Sequence, residues 1–62
     1  MPIVRVEWLE GRTRKQKLKL AQAITKAFVE VTHVPEEQVW IVFRDVDRSD
    51  WAMGGKLLSE SR

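Results

Sequence analysis

Cysteine is absent from this chain of 62 residues, and histidine occurs once. No disulfide can form, no thiol is available for catalysis, and a single histidine gives no basis for a metal cluster. The lack of cysteine also fits a reducing compartment. No apolar run is long enough for a membrane span, and the apolar start already carries Arg5 and Glu7. We therefore predict a soluble, cytoplasmic protein that does not act at a membrane.

The chain is also too short to bury much of itself. It makes at most one domain, 1–62, and domains of this size bury only about 60% of their unfolded surface. Small proteins compensate with disulfides, metals or self-association, and only the last route is open here. The net charge is +2 and the isoelectric point about 9.4, a balance that permits anionic small molecules and does not require nucleic acid.

The first half of the chain shows a strand pattern followed by a helix pattern. Residues 2–9, PIVRVEWL, alternate with a period of two, which predicts a strand, and 10–12, EGR, predict a turn. Thr13 followed by Gln16 is a capping-box pattern, so a helix is predicted from there to about His33. Its predicted apolar stripe is Leu20, Ala21, Ile24, Ala27, Phe28 and Val31, and its predicted exposed face is Lys15, Lys19, Gln22, Lys26 and Glu30.

The second half predicts one further strand and a small hairpin. Residues 39–44, VWIVFR, indicate a strand buried on both faces. A polar loop is predicted at 45–50, a hairpin element at 51–55, WAMGG, and a polar tail at 56–62. A helix between two strands predicts parallel pairing, hence an α/β (α+β) fold built on a short β-α-β unit. Because two strands make no stable sheet in water, we expect two protomers to form a larger sheet.

Three segments stand in a characteristic order: PIVRVEWLEGRT with KQK at the start, VPEEQVWIVFRDV in the middle and WAMGGK near the end. With a proline directly after Met1 and an arginine ten residues later, the whole chain resembles the 4-oxalocrotonate tautomerase family of the tautomerase superfamily. The resemblance implies a cofactor-independent isomerase, an enol–keto tautomerase of a small dienol carboxylate such as 2-hydroxymuconate or a related 2-hydroxydienoate. It also implies a role in aromatic compound degradation, and a homohexamer, a trimer of dimers, whose sites use more than one subunit.

The resemblance assigns roles to individual residues. The amino-terminal proline of the family moves the proton, which makes Pro2 the general base. Arg12 corresponds to the arginine that grips a substrate carboxylate. Trp51 falls where an aromatic residue walls the apolar pocket, and Leu9 and Met53 match positions that line it.

Trp40 departs from the family pattern. Well-studied members carry at this position a second arginine, which polarises the keto oxygen of the substrate and contacts a carboxylate. Arg44 is expected on the same strand face, but about 13 Å away at roughly 3.3 Å per residue, too far to replace it. We keep Trp40 among the substrate-binding candidates, and the lost charge argues against a dicarboxylate substrate.

The chemistry of Pro2 depends on Met1. Only a terminal proline nitrogen is an amine; behind Met1 it is an amide, and Pro2 is then a strand-start residue without further role. An α-amino group titrates near pH 8. Burial and the charge of Arg12 are expected to lower the pKa of a Pro2 amine, which would leave it partly neutral and suited to general-base work. Nucleophilic attack on a carbonyl is the second choice.

Other interpretations remain open beside this one. RTRKQKLKL at 12–20 is a possible nucleic-acid patch, although a solvated helix start suits it better. Asp45, Asp47 and Asp50 are spaced loosely like metal ligands but lack the final Glu of a calcium loop. GGK at 54–56 lacks the rest of a phosphate loop. The alternative functions are a superfamily decarboxylase or hydratase-like dehalogenase, or a non-catalytic oligomer that binds a small anion.

Overall fold

Two parallel strands, one long helix and a short hairpin make up the part of the chain that the computed structural model describes, residues 1–60. Strand β1 is Ile3–Leu9, helix α1 is Arg14–Thr32, and strand β2 is Trp40–Val46. β1 and β2 pair in parallel with α1 as the crossover between them, which confirms the predicted β-α-β unit. A single 3-10 turn, Glu36–Gln38, leads from the helix into β2.

The helix begins at the predicted capping box. The Thr13 hydroxyl accepts a hydrogen bond from the Gln16 backbone N–H at 3.1 Å, and the Gln16 side-chain oxygen accepts one from the Thr13 backbone N–H at 3.0 Å. Two otherwise unpaired donors of the first turn are thereby satisfied. The helix ends at His33, whose φ of 64° is left-handed and whose N–H donates to the Val29 carbonyl at 2.9 Å.

One face of the strand pair packs against α1. The half-buried residues of β1 are Val4, Val6 and Trp8, which alternate along the strand, and Leu9 at its end; Pro2 before the strand is also half-buried. The half-buried helix residues are Lys17, Leu20, Ala21, Ile24, Thr25, Phe28 and Val29. The predicted stripe is wrong at Ala27 and Val31, which are exposed. At 100° per residue Ala27 lies about 100° around the helix from Phe28, beyond Leu20 at about 80° on the same side. Val31 points within the packed side but lies in the last turn of the helix, where it is 78% exposed.

β2 is longer than predicted, and one of its faces is open in a single protomer. It runs to Val46, so two residues of the predicted 45–50 loop are strand, and the Glu10 N–H extends the pairing by donating to the Val46 carbonyl at 3.0 Å. One face of β2 is open in a single protomer: Trp40 is 50% exposed and Val42 46%. Their face lies opposite α1, and residues 1–60 add no second layer there, so burial on both faces stays a prediction for the oligomer.

The predicted hairpin is present, and the predicted tail is largely structured. Strands β3, Ala52–Met53, and β4, Lys56–Leu57, pair antiparallel around Gly54 and Gly55. Both glycines have positive φ, 61° and 83°, as the tightest two-residue hairpin turns require. A 3-10 turn, Arg48–Asp50, precedes the hairpin and another, Leu58–Glu60, follows it. The last two residues of the predicted 56–62 tail lie outside the described residues.

A single protomer leaves much apolar surface in contact with water. No side chain among residues 1–60 is fully buried. The radius of gyration is 15.0 Å, whereas a compact domain of this length has about 11 Å. Large apolar side chains exposed to solvent include Ile3, Leu18, Val31, Trp40, Val42 and Met53. Within residues 1–60, no helix has the length and apolarity that a membrane crossing requires.

Candidate active site

Pro2 and Trp40 lie side by side at the start of the parallel strands. The backbone N–H of Trp40 donates a hydrogen bond to the Pro2 carbonyl at 3.0 Å. Pro2 is half-buried, and the Trp40 side chain is half-exposed. Met1 stands outside the strand with 69% of its surface exposed, and its peptide bond makes the Pro2 nitrogen an amide. A backbone hydrogen bond therefore links the predicted base, Pro2, to Trp40, the position at which this chain departs from the family pattern.

Leu9 and Arg12 lie at the other end of β1. Leu9 ends the strand opposite Val46, and Arg12 is exposed in the loop that leads to α1. The guanidinium carbon of Arg12 lies 5.4 Å from the centroid of the Trp8 ring, a cation–π contact. The predicted carboxylate-binding residue therefore contacts an aromatic ring of the strand that precedes its loop.

A single protomer does not bring Pro2 and Arg12 together. Pro2 directly precedes β1, and Leu9 ends it, so at roughly 3.3 Å per residue the seven steps between them span about 23 Å. A hydrogen bond spans about 3 Å between heavy atoms, and the substrates implied by the sequence are far shorter than the strand. The two residues can meet on one small molecule only if they come from different protomers.

Trp51 and Met53 belong to the hairpin element that follows β2. Trp51 is half-buried, and its carbonyl accepts a hydrogen bond from the Leu58 N–H at 2.9 Å. Met53 is 66% exposed on β3. The Arg48 guanidinium donates to the Leu58 carbonyl at 3.4 Å and ties the hairpin to the turn before it. The six predicted site residues therefore fall into three groups, one at each end of β1 and one on the hairpin.

Arg44 does not stand in for the arginine missing at Trp40. It lies opposite Glu7 in the strand register, and Arg44 Nε is 3.7 Å from Glu7 Oε2 in an exposed ion pair. Trp40 lies opposite Ile3, at the far end of the same strand. Arg44 and Trp40 share the exposed face, as predicted, but the positive charge is at the Arg12 end of the strand and not beside Pro2.

A polar cluster that the sequence analysis missed lies beneath Arg12. Trp8 Nε1 donates a hydrogen bond to Asp45 Oδ1 at 2.7 Å, and Lys17 Nζ donates to Asp45 Oδ2 at 2.6 Å. The bond from Lys17, and next the bond from Trp8, hold the pKa of the Asp45 carboxyl below its ordinary value. The Trp8 ring also stacks on Phe43, with centroids 5.3 Å apart and planes at 19°. The available signal was Trp8 itself, a large aromatic with an N–H donor, which the sequence analysis treated only as part of the alternating strand 2–9.

Two of the three aspartates that are spaced loosely like metal ligands, Asp45 and Asp47, have structural partners. Asp45 is held by the cluster beneath Arg12. Asp47 accepts hydrogen bonds from the Ser49 backbone N–H at 2.8 Å and from the Ser49 hydroxyl at 2.7 Å, and these bonds lower the pKa of its carboxyl. Among the described residues, no three His, Asp or Glu side chains converge as metal ligands would.

Comparison with known proteins finds similarity over the whole chain. Residues 2–61 match the family model described as Tautomerase enzyme. A probable tautomerase from Bacillus cereus is 43% identical over 60 residues, which make up 97% of this chain and 98% of the relative. The 2-hydroxymuconate tautomerase of Bacillus subtilis is 38% identical over 60 residues, 97% of either chain.

Solved structures agree in fold. The crystal structure of YwhB, a homologue of 4-oxalocrotonate tautomerase, superposes with a TM-score of 0.90 at 36% identity and covers 98% of this chain and 100% of that one. A heterohexamer 4-oxalocrotonate tautomerase from Chloroflexus aurantiacus superposes with a TM-score of 0.87 at 34% identity, over 100% of both chains.

Proposed function

The chain belongs to the tautomerase family of enzymes, and from that premise we propose that it is a cofactor-independent enol–keto tautomerase of a small 2-hydroxydienoate, with Pro2 as the general base. The family match carries the proposal: it begins at Pro2 and leaves Met1 outside. Met1 is exposed and belongs to no strand, so its removal leaves β1 intact and exposes a secondary amine at Pro2.

The proposed reaction moves one proton and one set of double bonds. The neutral Pro2 nitrogen takes the proton from the 2-hydroxyl of the dienol. The oxygen becomes the keto group as the electron pairs shift along the diene. The protonated Pro2 then delivers its proton to a terminal carbon of the conjugated system, which gives the unsaturated ketone and restores the base. No oxidant, reductant or co-reactant is needed.

Arg12 is proposed to hold the substrate carboxylate from a neighbouring protomer. A guanidinium binds a carboxylate through two parallel charge-assisted hydrogen bonds. The strand length of about 23 Å between Pro2 and the Arg12 end supports a site shared between protomers. The large apolar surface of one protomer and the heterohexamer among the similar structures support a homohexamer, a trimer of dimers.

The substrate is proposed to carry its negative charge at one end only. The backbone of Trp40 pairs with Pro2, so the start of the sheet carries an uncharged aromatic where the resemblance implies an arginine. Arg44 pairs with Glu7 at the opposite end of the strand. A second carboxylate near Pro2 would lose its water without gaining a cation, which is unfavourable. Trp51, Leu9 and Met53 are proposed to supply the apolar walls. These features favour a monocarboxylate such as 2-hydroxy-2,4-pentadienoate over 2-hydroxymuconate.

Ketonisation of 2-hydroxy-2,4-pentadienoate, followed by ultraviolet absorbance, tests this function. The wild-type protein is expected to accelerate the reaction, and Pro2→Ala to lose about 100-fold or more of that activity while keeping its oligomeric mass. Equal rates in the two proteins contradict the role of Pro2. Binding of the dienol by the wild-type protein without turnover favours the anion-binding alternative.

A further inference from the structure

Trp8 makes three side-chain contacts that the proposed proton transfer does not use. Its ring stacks on Phe43, its indole N–H donates to Asp45, and the guanidinium of Arg12 lies over it. Asp45 is fixed in turn by Lys17 of α1. Residues of β2 and of the connecting loop therefore contact the indole ring directly, and the helix is linked to it through Asp45.

These contacts determine the orientation of the ring. The hydrogen bond from Nε1 to Asp45 fixes the rotation of the indole within its own plane, and the stacking on Phe43 fixes its tilt. The negative charge of Asp45 lies at the N–H edge of the indole. It shifts electron density of the indole away from the carboxylate and strengthens the negative potential over the ring face. A cation is attracted to that face.

Arg12 uses the ring in a way that leaves its donors available. Within residues 1–60, the Arg12 guanidinium contacts the Trp8 ring, with 5.4 Å between the guanidinium carbon and the ring centroid. A cation–π contact is not a hydrogen bond, so it leaves the five N–H donors of a guanidinium available, and these lie in the guanidinium plane. That plane is the one in which a carboxylate binds in the two-pronged geometry.

We propose that Trp8 is a positioning residue that holds the Arg12 guanidinium in place for the substrate carboxylate, with Asp45 orienting the indole. The inference rests on the proposed role of Arg12 as the carboxylate-binding residue. Its physical basis is pre-organisation: an arginine on an exposed loop loses rotamer freedom when it binds an anion, and the ring removes part of that cost in advance. Trp8 therefore determines how strongly an acid is preferred over its uncharged analogue.

Calorimetric titration with a non-reacting acid tests this role without relying on turnover. The probe is 2,4-hexadienoate and its uncharged partner is 2,4-hexadienamide. Trp8→Leu removes the ring, Trp8→Phe keeps an aromatic face without the N–H, and Arg12→Ala removes the cation. Phe28→Leu is the matched control, because Phe28 is a half-buried aromatic about 20 Å along the helix from its first turn, at 1.5 Å per residue.

Trp8→Leu is expected to weaken binding of the acid about three- to tenfold and to change binding of the amide less than about twofold. Phe28→Leu is expected to stay close to wild type, and Trp8→Phe, which keeps a ring face but loses the hydrogen bond to Asp45, to fall between wild type and Trp8→Leu. In the Arg12→Ala background, Trp8→Leu is expected to cause no further loss. With 2-hydroxy-2,4-pentadienoate as substrate, Trp8→Leu is expected to raise KM and leave kcat within about twofold.

The inference is overturned if Trp8→Leu leaves acid binding unchanged, weakens acid and amide equally, or acts equally with and without Arg12. It is also overturned if wild-type protein does not bind the acid. Trp8→Met, which fills the site without a ring face, replaces Trp8→Leu if the latter fails to assemble. If the protein binds the acid in a way that depends on Trp8 but has no tautomerase activity, only the proposed function is contradicted. If its activity depends on Pro2 but acid binding is the same in wild type and Trp8→Leu, only this inference is contradicted.

Discussion

The backbone N–H of Trp40 donates a hydrogen bond to the Pro2 carbonyl over 3.0 Å. This bond holds the first residue of the proposed mature chain to the sheet, since a terminal proline without it would be free to fray. It also places Trp40, an uncharged residue and not a cation, at the strand start that carries the proposed base. The Trp40→Arg prediction and the final mass measurement both concern this strand start.

Trp40→Arg is expected to widen the substrate range towards dicarboxylates. A guanidinium beside Pro2 supplies the partner that a second carboxylate lacks in the wild-type site, and a hydrogen bond to a charged group contributes about 1.5–3 kcal/mol. The KM for 2-hydroxymuconate should therefore fall about tenfold or more, while the KM for 2-hydroxy-2,4-pentadienoate changes little. Trp40→Leu serves as the uncharged control, and an equal fall in that variant contradicts the electrostatic explanation.

Mixing two inactive variants tests whether the site is shared between protomers. Pro2→Ala and Arg12→Ala are each expected to lose most activity as pure oligomers. When they are unfolded together in equal amounts and refolded, about a quarter of the sites should combine an intact Pro2 with an intact Arg12 from another protomer. Activity of the mixture is measured against the two separately refolded variants. A mixture no more active than their average means that each site takes both residues from one protomer.

Val42→Lys is expected to break the assembly. Val42 is 46% exposed on the face opposite the helix and lies opposite Arg5 in the strand register. Covering this face with another protomer would bury the new charge beside an existing one, which is unfavourable. Sedimentation should give six chains for wild type and fewer for Val42→Lys. Ala23→Lys, which adds the same charge on the exposed helix surface, is expected to keep six, and an unchanged mass in both variants contradicts the proposed interface.

The sequence was most informative where structure depends on near neighbours. Thr13 and Gln16 are three residues apart, so the capping box and the helix start could be read directly. Val46 was misplaced in a loop because β2 is extended there by pairing with β1, a partner remote in the chain. The cluster beneath Arg12 escaped for the same reason: Asp45 lies 37 residues from Trp8 and 28 from Lys17. Spacing within a single strand or helix does not predict such contacts.

Asp45→Asn is expected to lower Tm in a pH-dependent way. Hydrogen bonds from Lys17 and Trp8 hold the pKa of Asp45 below its ordinary value. A carboxyl with a lowered folded-state pKa stabilises the fold fully above the unfolded pKa, about 4, and loses that effect as the pH falls through the folded value. The Tm difference between wild type and Asp45→Asn should thus be largest near neutrality and shrink on acidification below about pH 4.

Thermal scans of wild type and variant are made at one protomer concentration, and Asp50→Asn serves as the control. A difference that grows in acid contradicts this assignment.

The intact mass of the catalytically active protein tests the central claim most directly. If a free Pro2 nitrogen is the base, the active fraction must be lighter than the translated chain by one methionine residue, and fractions that retain Met1 must be inactive. An active fraction that carries Met1 quantitatively, with its rate unchanged when Met1 is removed, contradicts the account.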